Sequence, residues 1–127
     1  MKKHLKTALA IIISIIIIVL GNIGNSSDEI IINDTEINYT FRSDEQYQSH
    51  YEKHVDEFGD ITIEEYLLMA NNLINDDSGL VLTKLEKEDN DTIYYKEDTN
   101  EFLVLSTDGY IRTYFRPSDG IDYFNRQ

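Results

Sequence analysis

Two histidines, His50 and His54, stand four residues apart in the run HYEKHVDEF. On a helix that spacing puts both on one face. At about 100° per residue, Tyr47, Tyr51, Val55 and Phe58 form an apolar stripe with His54 inside it and His50 at its edge. Lys53 and Glu57 fall on the flank. Histidines at the margin of a buried face are partly desolvated, which moves their pKa values across neutrality and suits general acid–base work. The same spacing also suits an ordinary amphipathic helix whose histidines form the polar edge of a core. A metal site needs more. Tyr51 follows His50 where the zinc-protease pattern H-E-x-x-H has glutamate, and no histidine follows His54 to act as a third ligand. No metal and no other cofactor is expected.

A second group lies near the C-terminus. In YIRTYFR, the residues Tyr110, Arg112, Tyr114 and Arg116 alternate, so a regular strand carries them on one face. Guanidinium forks hold phosphate and aromatic rings stack on bases, so that face suits a nucleic-acid strand. The plainer alternative is a solvated edge strand whose arginines balance nearby carboxylates. Arg112 and its neighbour Thr113 point to opposite faces of a regular strand and share a site only across a bulge.

The elements that must position these groups can be read from caps and periods. Ser43 with Gln46 makes an S-x-x-Q box, predicting a helix that runs to about Phe58 and ends at Gly59. Thr62 with Glu65 makes a T-x-x-E box, predicting a second helix to about Asn75 with Tyr66, Leu67, Ala70, Leu73 and Ile74 on one face. The period then changes to two. Four strands are predicted at Leu80–Lys87, Thr92–Lys96, Phe102–Ser106 and Tyr110–Arg116, with Asp108-Gly109 as the strongest hairpin signal. Residues Ile121–Arg126 read as a final helical turn. The predicted class is α+β, with two N-terminal helices packed on one face of a four-stranded antiparallel sheet. This domain occupies residues 43–127. Residues 28–42 read as a linker leading into it, with a short strand at Ile37–Phe41.

Composition narrows the field. The chain has 127 residues, no cysteine and a net charge of -13. Disulfide scaffolds, zinc–thiolate fingers and cysteine nucleophiles are excluded, and so is a polybasic nucleic-acid coat. Residues 1–27 open with three lysines, followed by the uncharged ALAIIISIIIIVL of residues 8–20. This reads as a secretory signal or a retained N-terminal anchor. The run is short for a bilayer span, which takes roughly 20 residues. Gly21, Gly24, Ser26 and Ser27 are the candidate small residues for cleavage. Removing residues 1–27 takes three lysines and no acids, leaving eight basic against 24 acidic residues and a charge of −16. A secreted or cell-surface monomer is expected, in contact with a membrane only through the N-terminal segment.

The ordered set HYEKHVDEFG, IEEYLLMA, NEFLVLSTDGYIRTYFRP and DGIDYF resembles the small toxin-like domains of the barnase, EndoU, colicin and RelE-like nuclease superfamily, of the bacterial polymorphic-toxin and phage type. The resemblance covers about residues 43–127. It implies two helices on a four-stranded antiparallel sheet and metal-independent cleavage of RNA, tRNA among the substrates. A ribose 2′-hydroxyl attacks the adjacent phosphate, a base takes its proton, and an acid protonates the leaving 5′-oxygen. By matching position it assigns His50 and His54 to acid–base chemistry, Lys53 and Arg112 to phosphate, Thr113 to a phosphate oxygen or the 2′-hydroxyl, and Tyr123 to a base or phosphate. Arg116 and Tyr114 complete the expected RNA-binding strand. A toxin of this kind also implies a cognate inhibitor protein, basic to match the acidic surface. The competing expectation is a noncatalytic exported acidic protein-interaction module of the same fold.

Overall fold

A computed structural model describes residues 37–127. The signal or anchor expected at residues 1–27 lies outside the described residues, as does the linker up to residue 36. Among the described residues, no helix is long and apolar enough to cross a membrane.

The chain forms an α+β fold. Strand β1 (Thr40–Phe41) leads into helix α1 (Asp44–His54), which tightens into a 3₁₀ turn at Val55–Glu57. Helix α2 (Ile63–Ile74) follows, then strands β2 (Val81–Leu85), β3 (Thr92–Lys96), β4 (Glu101–Leu105) and β5 (Tyr110–Phe115), and a short helix α3 (Ile121–Arg126). Local chemistry sets these bounds. Ser43 Oγ accepts the Gln46 N–H at 3.1 Å and starts α1. Thr62 and Glu65 exchange side-chain and backbone bonds in a complete capping box and start α2. Gly59 sits at φ +94°, a left-handed conformation that glycine adopts without strain, and separates the two helices. The tight turn into β5 has Gly109 at φ +87°.

The sheet differs from the expected four-stranded antiparallel one. It has five strands in the order β1-β5-β4-β3-β2 and is mixed. The meander β2 to β5 is antiparallel, but β1 pairs parallel with β5, Thr40 opposite Tyr110 and Phe41 opposite Ile111. The part of the linker at residues 37–42 therefore belongs to the packed fold, with Ile37 and Phe41 buried. Asn71 explains why so short a strand holds. It is fully buried on α2. Its Oδ1 accepts the N–H groups of Asn38 and Tyr39 at 3.0 and 2.9 Å. Its Nδ2 donates to the carbonyls of Tyr39 and Leu67 at 2.9 and 3.0 Å. Both ends of the amide are satisfied, so the polar group is buried without a desolvation penalty. Beyond β1, Arg42 pairs with Asp108 at 2.8 Å and covers the Tyr110 ring at 4.5 Å.

Helices cover both faces of the sheet, not one. Leu103, Leu105, Ile111 and Tyr114 are buried on the side of α1 and α2. There Tyr66 packs 5.2 Å from Tyr114, and its hydroxyl donates to the Tyr114 carbonyl. On the other side Ile93, Tyr95 and Phe102 form a cluster with Phe124, flanked by Val104, Phe115, Ile121 and Tyr123. The C-terminal turn read from the sequence is thus the cover of a second core. Buried tyrosines dominate, and their hydroxyls find partners, as that of Tyr95 does on Asn100 Oδ1 at 2.8 Å.

Replacing Asn71 by leucine keeps the volume but orphans two backbone N–H groups. The expected cost is about 3 kcal/mol of unfolding free energy. Urea titration of the variant checks this; a loss below about 1 kcal/mol would mean that the clamp contributes little.

Candidate functional site

The end of α1 builds the site. Side chains three apart nearly eclipse each other in a 3₁₀ turn. The tightening after His54 therefore swings Glu57 back beneath it, and His54 Nδ1 lies 2.7 Å from Glu57 Oε2. A carboxylate only accepts, so the proton of this bond sits on Nδ1. The other Glu57 oxygen, Oε1, accepts the backbone N–H of Arg116 at 2.8 Å. One carboxylate thus ties the helix end to the end of β5. The Arg116 guanidinium donates to the Glu57 carbonyl at 3.3 Å and lies 4.7 Å above the Phe58 ring.

Aromatic stacking aligns the two histidines. His54 stacks on Phe115 at 5.2 Å and faces His50 at 6.1 Å. His50 stacks on Phe41 of β1 at 5.0 Å. Tyr123 of α3 meets Phe115 edge-on at 5.2 Å, with Arg126 over its own ring at 5.5 Å. A row runs from Phe41 through His50, His54 and Phe115 to Tyr123. His54 is buried and His50 half-buried. His50 Nδ1 is enclosed without a partner. Burial, and then the charges of His54 and Lys53, push its pKa below the ordinary 6.5, so the ring is neutral at pH 7. Lys53 is exposed on α1 beside this pair.

The strand face expected from alternation at Tyr110, Arg112, Tyr114 and Arg116 is not formed. A bulge breaks it: Leu105 pairs with Ile111 but Val104 with Thr113, which leaves Arg112 as the extra residue. Ile111 and Tyr114 consequently share the face toward α1 and α2, while Arg112, Thr113 and Phe115 share the other. Tyr114 is fully buried, its hydroxyl donating to Glu101. It is a core residue and cannot stack on a base. The bulge meets the condition for Arg112 and Thr113 to share a side, but Arg112 is drawn across β4. Its guanidinium bonds to buried Asp91 and lies 3.4 Å from both Glu86 and Asp89, around the turn between β2 and β3. These three carboxylates stand within 4.8 Å of one another, close enough to share a divalent cation, but Arg112 supplies the positive charge there. Half-buried Thr113 stays with Phe115.

The structure therefore brings together His50, His54, Arg116 and, through Phe115, Tyr123. It separates Arg112 and buries Tyr114. The residue missed in the sequence is Glu57. Its signal was the H-x-x-E spacing just before Gly59, at a helix end where a 3₁₀ turn is common. No protein-family model matches the chain, and no curated protein is significantly similar to it.

His50 generates a pH prediction. Its pKa is lower folded than unfolded, so the stability tied to its neutral form is complete above pH 6.5 and is lost as pH falls through the folded value. Asp76 and Asp108, held at about 2 by hydrogen bonds from Lys96 and Arg42 respectively, respond only in stronger acid. Urea unfolding between about pH 7 and pH 5 should show a steeper loss in the wild type than in His50→Phe, which keeps the stack on Phe41. Parallel pH curves for the two proteins would refute this account of His50.

Proposed function

We propose that this chain is an exported, toxin-like, metal-independent ribonuclease whose acid–base centre is the His50, His54 and Glu57 row. One observation carries the reading: Glu57 accepts the hydrogen bond of His54 Nδ1–H and orients its ring, beside a second histidine whose pKa burial lowers. Two neighbouring titratable groups in unlike environments are what an acid–base division of labour requires. Neutral His50 takes the proton of the ribose 2′-hydroxyl. His54, holding a second proton against Glu57, delivers one to the leaving 5′-oxygen. The two ring centroids lie 6.1 Å apart, so both imidazoles belong to one site. Lys53 and Arg116 supply positive charge for the phosphorane, and Thr113 offers a hydroxyl to a phosphate oxygen. Tyr123, half-buried beside Phe115, offers its exposed part to a base. A basic inhibitor protein belongs to this reading.

A second reading, the noncatalytic exported acidic interaction module, is favoured by Arg112. Its guanidinium is occupied by three carboxylates, and the net charge of -13 repels RNA.

RNA cleavage by the purified protein in EDTA separates the two. The ribonuclease yields 2′,3′-cyclic phosphate ends. His54→Ala lowers the rate by about 10² to 10⁴, and Glu57→Gln lowers it by a smaller factor of about 10. A folded sample that leaves both tRNA and total RNA intact makes the chain a binding module.

A further inference from the structure

Among the described residues the sheet ends, on the side away from β1, in strand β2. An edge strand presents unpaired backbone N–H and C=O groups, and proteins blunt such edges with bulges, prolines or outward lysines. Bulge, proline and outward lysine are absent from β2, and its one inward-pointing charge, itself a device against edge pairing, is already bonded to α3 and leaves the outward backbone groups open. Its register with β3 is unbroken from Val81↔Lys96 to Leu85↔Thr92, and it contains no proline. Its lysine, Lys84, is turned inward, with Nζ donating to the Phe124 carbonyl and lying 4.4 Å from the centre of the Phe124 ring. The edge instead presents Leu80, Leu82 and Leu85, which are 55%, 43% and 63% exposed. They are the exposed large hydrophobic side chains among the described residues. The ladder phase follows from the Glu86 N–H, which donates to the Asp91 carbonyl at 2.8 Å. Bonded pairs alternate in an antiparallel ladder, so Leu82 and Lys84 bond β3 while Val81, Thr83 and Leu85 turn their backbone groups outward.

We propose that β2 is a docking edge for an extended strand of a basic partner protein. Charge selects the occupant. Asp76 and Asp77 precede the strand, and Glu86, Glu88, Asp89 and Asp91 follow it. These acids exceed the nearby cations Lys87, Lys96 and Arg112, and Asp77 and Glu88 stand outside the ion pairs of the described residues. Antiparallel pairing with a second copy would set the acidic start of each strand against the acidic end of the other, between two chains of net charge -13. A strand of alternating apolar residues flanked by lysine or arginine meets the leucines and the acids at once. This edge lies at the opposite end of the sheet from β1 and the histidine row, so docking there holds whether or not the chain cleaves RNA.

The test uses the full-length protein and a labelled probe peptide of alternating valine and threonine with two lysines at each end, beside a glutamate-flanked twin. The lysine-flanked peptide should bind at least about tenfold more tightly. On binding, the amides of Val81, Thr83 and Leu85 should gain protection from hydrogen exchange, while those of Leu82 and Lys84, already bonded to β3, change little. Leu85→Lys changes an exposed side chain and should weaken binding by about tenfold or more. Thr83→Pro removes an outward N–H and should do the same. The proposal is overturned by no binding of the lysine-flanked peptide, by equal binding of the two peptides, or by binding that Leu85→Lys leaves unchanged. Protection of Val81, Thr83 and Leu85 in the free protein would also overturn it. Protection at all concentrations would mean that the chain covers its own edge, and protection only at high concentration that a second copy does.

Discussion

Asn71 joins one helix to a segment more than thirty residues earlier through three hydrogen bonds made by a fully buried amide, whose fourth bond returns to Leu67 of its own helix. The rest of the arrangement hangs from that joint. It fixes Asn38 and Tyr39, and so sets the height at which Thr40 and Phe41 run beside β5. Phe41 then has a fixed place against the His50 ring, and α1 has a fixed start at Ser43. Two ladder pairs alone would not hold a strand of this length, because closing so long a loop costs more entropy than they return.

From that joint, contacts lead to the histidine row. Phe41 holds His50, His50 lies against His54, and Glu57 connects His54 to the end of β5. Each histidine therefore has a different environment: an enclosed, unpartnered nitrogen for one and a carboxylate for the other. The bulge at Arg112 separates the functions of neighbouring residues on β5. It sends Tyr114 into the core and Arg112 to the carboxylates of the β2–β3 turn. The arginine that lies beside the histidine row is Arg116, just past β5, and not Arg112.

Features set by neighbours in the chain were legible in the sequence. The Thr62–Glu65 box, the glycine after α1, the change of period after residue 79 and the Asp108-Gly109 turn are all local. They predicted helices and strands within a few residues of where they lie. A short strand at Ile37–Phe41 was legible, but its place as the sheet's fifth strand was not, because β1 is held there by a long-range amide rather than by its own pattern. Asn71 did leave a trace, a polar residue on the apolar arc between Leu67 and Ile74. The bulge could not be read at all: the alternation in YIRTYFR is regular, and only pairing with β4 shows the extra residue. Of the candidate site, both histidines were visible by spacing. Glu57 was visible as a flanking residue, but the turn that brings it under His54 was not.

The His54 tautomer is the most direct reading of this account. Long-range ¹H–¹⁵N spectra of the neutral protein, at a pH above the histidine range, report which ring nitrogen carries the proton. The His54–Glu57 bond predicts one tautomer of the neutral ring, protonated at Nδ1 and not at Nε2. A proton found on Nε2, or an even mixture of the two tautomers, would contradict it.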